Sequence, residues 1–256
     1  MCVDTARISI TGEYILSTQQ GAADVILITD RSGSMGWNFT DEWSDDGSVF
    51  RNCDDPNINL PSTTRISVAK CIDKKFVNDF LDSSNPSLRI ALVSYSTTST
   101  IDQTFTNNEQ ILIDEINSYV DTSSTCISCA IDDAINEVIN NGNDNSPKSI
   151  ILMTDGKTNY CIGYNCGEAT AIAEAEDLSC NYDNPESAAE LGITIYTVAF
   201  GDGSEVNEEL LQDIADCTGG QFFKSDDPET LFDIYEQIAQ DIMTNSYPTP
   251  SIEINN

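Results

Sequence analysis

Apolar positions along the chain follow two rhythms. Runs of consecutive aliphatics at 24–29 (DVILIT), 88–96 (LRIALVSYS), 148–156 (KSIILMTDG) and 192–201 (GITIYTVAFG) read as strands, mostly covered on both faces. The stretch 65–82 instead spaces Ile66, Ala69, Ile72, Phe76, Val77 and Phe80 at helical intervals. Further helices are predicted around 108–120, 128–140, 168–178, 206–216 and 229–243, and short strands at 99–106 and 220–224. An early strand is predicted at 7–16, with Ile8 and Ile10 on one face. Strands alternating with helices predict an α/β fold: an open, mostly parallel, doubly wound sheet with helices on both faces. The hairpin-length link between 88–96 and 99–106 makes the latter the one antiparallel edge strand.

Three segments follow from this pattern. Residues 1–22 form an N-terminal extension with an extra strand, and 23–244 form one domain interrupted by a long acidic loop at 35–62. Residues 245–256 are a linker or the start of another strand, with Pro248 and Pro250 marking a boundary. No apolar run approaches the roughly 18 residues of a membrane span. With no signal peptide ahead of Cys2, the chain reads as a piece of a larger surface protein.

Charge narrows the function. Against 43 acids stand 11 bases, for a net charge of −32, and such a surface repels nucleic acid. The acids serve solvation or hold divalent cations. Histidine is absent altogether, which removes His-based triads, His-containing zinc motifs and the usual neutral-pH general base. The chain is therefore expected not to be an enzyme.

Nine cysteines point outside the cell, toward disulfides. The candidates are Cys53, Cys126, Cys129, Cys161, Cys166 and Cys180, with Cys161–Cys166 the easiest local bridge. An odd count leaves at least one thiol without a partner in the chain. A four-thiolate zinc site from Cys126, Cys129, Cys161 and Cys166 is the competing reading, and a Cys126/Cys129 redox pair a third.

The apolar strand at 24–29 ends abruptly in Asp30-Arg-Ser32-Gly-Ser34, and the strand at 148–154 ends in Asp155. In an open α/β sheet ligands bind beyond the carboxyl ends of the strands. Thr125, in the loop before another predicted helix, adds a third segment, so five hard oxygens from three loops converge on one edge. Helix capping by the two aspartates, with the serines as turn residues, is the competing explanation.

The segments DRSGSM, Thr125 in TCISCAI, IILMTDG and GITIYTVAFG resemble the von Willebrand factor type A domain from about residue 23 to 244, with TGGQFF before the last strand. The first three match that family's metal-ion-dependent adhesion site. The resemblance implies that Ser32 and Ser34 bind a cation directly and that Asp30 orients the site largely through water. Thr125 and Asp155 would complete the inner or outer shell. Mg²⁺ is the implied cofactor, with Mn²⁺ or Ca²⁺ admissible at the same site. The implied partner is a protein presenting an Asp or Glu as the last ligand.

Two departures stand out: Thr29 where the family more often has an apolar residue, expected to change little, and the length of the 35–62 loop. That loop holds the chain's two tryptophans, Trp37 and Trp43, which are candidate ligand contacts or inward anchors. Its acids at 41, 42, 45, 46, 54 and 55 lack EF-hand spacing and read as a solvated surface rather than a second cation site. The expected function is an extracellular, metal-dependent adhesion module. A structural subunit of a surface filament or shaft, in which the metal stabilises the fold, is the alternative.

Overall fold

The computed structural model describes residues 21–39, 49–60, 62–82, 84–201 and 206–246. The expected strand at 7–16, the terminal segment 247–256, Trp43 and the acids at 41, 42, 45 and 46 lie outside the described residues.

Among the described residues six strands form one sheet: β1 Ala23–Asp30, β2 Leu88–Tyr95, β3 Ser99–Thr106, β4 Lys148–Thr154, β5 Thr194–Phe200 and β6 Phe222–Ser225. Their order is β3-β2-β1-β4-β5-β6, and only the β2–β3 pairing is antiparallel. The antiparallel edge strand is therefore where the hairpin spacing put it. β1 is buried at every position, as its unbroken apolar run requires.

Among the described residues six α-helices cover the sheet: α1 Arg65–Phe80, α2 Glu109–Ser118, α3 Ile127–Asn141, α4 Glu168–Cys180, α5 Glu208–Thr218 and α6 Pro228–Asn245. Alternate β1 side chains sort into two cores. Val25 and Leu27 pack with Ile72 and Phe76 of α1, Leu112 of α2 and Ile238 of α6. Ile26 and Ile28 pack with Ile131 of α3, Ala175 of α4 and Leu211 of α5.

Local chemistry sets the helix ends. Asp227 caps α6 by accepting the Thr230 N–H at 2.8 Å, and Pro228 fills the first turn, where no donor is needed. After α5, Gly219 adopts φ 76°, and a Cβ on Gly220 would lie 2.0 Å from the Ile195 carbonyl oxygen. Both positions of the Gly-Gly pair before β6 thus need glycine.

Disulfides join Cys53–Cys71, Cys126–Cys129, Cys161–Cys166 and Cys180–Cys217. This overturns the four-thiolate zinc reading, because each local pair consumes its own thiols. Cys71 and Cys217, the partners of Cys53 and Cys180, stand 18 and 37 residues away along the chain and are brought near only by folding. Cys2 lies outside the described residues.

Candidate metal centre

The strand order reverses between β1 and β4, the switch point at which open α/β sheets bind ligands. β1 ends in Asp30, and Asp155 follows β4 directly, so both carboxylates flank that crevice. Both are buried, at 0% and 1% exposure. A short 3-10 turn, Gly33–Gly36, continues from β1 and carries Ser34.

The oxygens meet. Ser34 Oγ donates to Asp155 Oδ1 at 2.7 Å, with Ser32 Oγ 3.1 Å from Ser34 Oγ and 3.5 Å from the same carboxylate oxygen. Asp30 accepts the Ser32 N–H at 2.6 Å through Oδ1. Through Oδ2 it accepts the Thr154 hydroxyl at 2.8 Å and the Tyr95 hydroxyl at 3.2 Å. Thr125 enters from the loop before α3. A Cβ built on Gly156 would lie 3.4 Å from Thr125 Oγ1 and 3.6 Å from Ser34 Oγ, so these two hydroxyls border one small space. The glycine leaves that space open. All five expected residues are therefore brought together at one edge of the sheet, and helix capping explains none of the contacts of Asp30 or Asp155.

Arg31 stands between the candidate ligands in sequence but turns away from them. Its guanidinium carbon lies 5.7 Å from the Tyr119 ring centroid.

Three participants escaped the sequence reading. Arg65, the first residue of α1, donates through Nη1 to Asp155 Oδ2 at 2.9 Å, with both groups buried. Ninety residues separate the pair, and no local signal marks it. Tyr95 is the parallel-register partner of Asp30 across β1–β2, a clue available only once the pairing is known. Thr154 precedes Asp155 in the TDG strand end and could have been read there.

Burial pushes the Asp30 carboxyl up to about 7, and the neighbouring Asp155 charge adds to the rise. Hydrogen bonds from Ser32 and Thr154 oppose it. Asp155 is also raised by burial, with Arg65 acting in the opposite direction. Two buried carboxylates with one guanidinium leave a local deficit of positive charge. The donor set, two carboxylates and three hydroxyls, suits a hard divalent ion: it is all oxygen, with charge enough to cancel and no excess. Among the described residues no cluster of three or more Asp, Glu, His or Cys side chains occurs; the candidate centre has two carboxylates, and its other oxygens are hydroxyls.

Trp37 is half-buried directly after the 3-10 turn, and its carbonyl accepts the Arg65 N–H at 2.8 Å. It thus braces the start of α1 beside the centre. Thr29 matters more than expected. Its hydroxyl donates to Asp73 Oδ2 at 2.6 Å, putting a buried carboxylate of α1 against β1.

A family model for the von Willebrand factor type A domain matches residues 67–237. A UPF0353 protein of Mycolicibacterium gilvum (strain PYR-GCK) is 26% identical over 188 residues, covering 64% of this chain and 51% of that protein. Another, from Mycobacterium sp. (strain KMS), is 25% identical over 206 residues, covering 71% and 55%. The chain spans about half the length of the curated relatives it matches. Among solved structures, the PilB minor pilin of Streptococcus sanguinis superposes with a TM-score of 0.69 at 16% identity, over 90% of this chain and 63% of that one. The vWF domain of the type V pili tip protein Mfa5 from Porphyromonas gingivalis gives 0.62 at 18%, over 91% and 99%. Proximal thread matrix protein 1 from the mussel byssus, solved with a zinc-occupied MIDAS motif, gives 0.58 at 18%, over 88% and 46%. At such identities the structural likeness speaks for the fold.

Proposed function

The chain belongs to the von Willebrand factor type A family, and from that premise we propose that it is a non-enzymatic, extracellular adhesion or protein-binding module. It grips an acidic side chain of a partner protein through Mg²⁺ at the carboxyl edge of the sheet. The observation that carries this reading is the convergence of Ser32, Ser34, Thr125, Asp30 and Asp155 at the switch point. Mn²⁺ or Ca²⁺ fits the same all-oxygen donor set.

Each side chain has separable work. Ser32 and Ser34 offer neutral oxygens, which add ligands without adding charge. Asp30 is held by Ser32, Thr154 and Tyr95, so its orientation is set before any ion arrives. Arg65 occupies one oxygen of Asp155 and leaves Oδ1 facing the serines. When bound, Mg²⁺ supplies a Lewis-acidic charge with a coordination position for one further carboxylate oxygen. Trp37, beside the turn that carries Ser34, offers the partner an aromatic contact.

A surface location draws support from four disulfides, which persist in oxidising compartments. Two neighbours in structure, a minor pilin and a pilus tip protein, support it as well.

Calorimetric titration with Mg²⁺ and with Mn²⁺ tests the proposal. Wild-type protein should bind, and Ser32→Ala should lose binding while melting normally, since the core lies behind the site. Wild-type protein that binds neither cation refutes metal-dependent adhesion.

A further inference from the structure

Thr125 is the one proposed ligand whose segment does not continue directly from a strand. Asp30 and Asp155 sit at the ends of β1 and β4, whereas Thr125 lies in the loop between α2 and α3. Its position comes from a junction with residues 158–160, just after Asp155. The Thr125 carbonyl accepts the N–H groups of Asn159 at 3.0 Å and Tyr160 at 3.2 Å. It also accepts the Thr158 hydroxyl at 3.4 Å. In return the Thr125 N–H donates to Asn159 Oδ1 at 3.2 Å, and the Ile127 N–H to the Thr158 hydroxyl at 3.3 Å.

A disulfide adjoins this junction on each side. Cys126, immediately after Thr125, is bridged to Cys129 and closes the first turn of α3. Its Sγ also accepts the Cys129 N–H at 3.3 Å, in the manner of a helix N-cap. Cys161, immediately after Tyr160, is bridged to Cys166. Cys126 and Cys161 are both fully buried.

The loops these links close are short, with sequence separations of 3 and 5 residues against 37 for Cys180–Cys217. A cross-link that closes a short loop removes little entropy from the unfolded chain, so its global stabilisation is the smaller. Its effect is on local geometry.

We infer that Cys126–Cys129 and Cys161–Cys166, each closing its own loop, form a paired clamp that stiffens the two sides of this junction and so holds Thr125 beside Gly156 and Ser34. The cysteines are positioning residues and touch no ion. Their effect on cation affinity rests on the metal reading above, but the loop junction itself does not.

Two double variants test the clamp: Cys126→Ser/Cys129→Ser, in which a serine hydroxyl keeps the helix cap, and Cys161→Ser/Cys166→Ser. The control is Cys180→Ser/Cys217→Ser, which removes the link between the ends of α4 and α5 at the opposite edge of the sheet. Amide hydrogen exchange at Asn159 and Tyr160 reads the junction, and Mg²⁺ titration reads the site.

Either clamp variant should speed exchange at those two amides while the β4 core amides stay protected. Mg²⁺ affinity should fall by about 10–100-fold, the usual loss when a ligand's supporting contacts go. The control should melt earlier with its affinity intact. Unchanged exchange at Asn159 and Tyr160, or faster exchange with unchanged Mg²⁺ affinity, overturns the inference. So does a clamp variant that fails to fold, because the links would then be global staples. If the wild type itself binds no Mg²⁺, the metal reading fails, and the exchange result alone decides the clamp.

Discussion

Asp73 makes the fold's stability depend on pH in a calculable way. It sits on the apolar stripe of α1 at 1% exposure, among Ile72, Phe76 and the neighbouring helices. Oδ2 accepts the Thr29 hydroxyl, while Oδ1 has no hydrogen-bond partner among the described residues. Burial therefore drives its carboxyl from 3.8 up to about 7, with the Thr29 hydrogen bond and the Lys74 charge opposing. A carboxyl raised in this way keeps its proton in the folded state up to about pH 7, whereas the unfolded chain releases it near pH 4. Within that window the native state binds the extra proton, so stability is highest at the acid end and falls as pH rises. The slope is about 1.4 kcal/mol per pH unit, and it levels off above the folded value.

The perturbation is Asp73→Asn, which keeps the shape and cannot ionise. From about pH 5 to about pH 8.5 the wild type should lose about 3 kcal/mol through this group alone, and the variant should lose none of it. Denaturant unfolding in EDTA, with disulfides intact, yields the difference between variant and wild type at each pH. Taking the difference cancels Asp30, Asp102 and the other raised carboxyls, which titrate in both proteins. Parallel stability curves would refute the reasoning, because they would mean that Asp73 finds a compensating charge or solvent in the folded state.

Two further outcomes concern the oxygen site. Asp30 is protonated below about pH 7, and a cation needs it ionised, so Mg²⁺ affinity should weaken by about tenfold per pH unit below that point. Titrations in buffers of different ionisation enthalpy should detect the released proton, and a flat pH profile would contradict the burial argument. Gly156→Ala should leave the melting temperature nearly unchanged, since its Cβ makes contacts of 3.4 and 3.6 Å. The methyl group would nonetheless crowd the space bordered by Thr125 and Ser34, so Mg²⁺ affinity should drop; an unaltered isotherm would move the ion elsewhere.

The sequence by itself determined the layers and which strand ends meet at the candidate site. Unbroken aliphatic runs such as Val25–Ile28 can be satisfied only by a strand covered on both faces, and the 3.6-residue spacing of 66–80 only by a helix with one buried stripe. Because strand ends in such a sheet share one edge, the sequence pattern alone places Asp30 and Asp155 together. Short spacing likewise made Cys161–Cys166 readable, because a nearby thiol needs no fold to find it. What only the tertiary structure decided were the partnerships between residues far apart along the chain: Arg65 with Asp155, Thr29 with Asp73, Cys180 with Cys217. Each half of such a pair looks ordinary in its own segment. Thr29 reads as a small departure from the family pattern, and the helical spacing of 65–82 singles out neither Arg65 nor Asp73. Desolvation turns them into determinants of charge and pKa, and desolvation exists only once the helices have closed over the sheet.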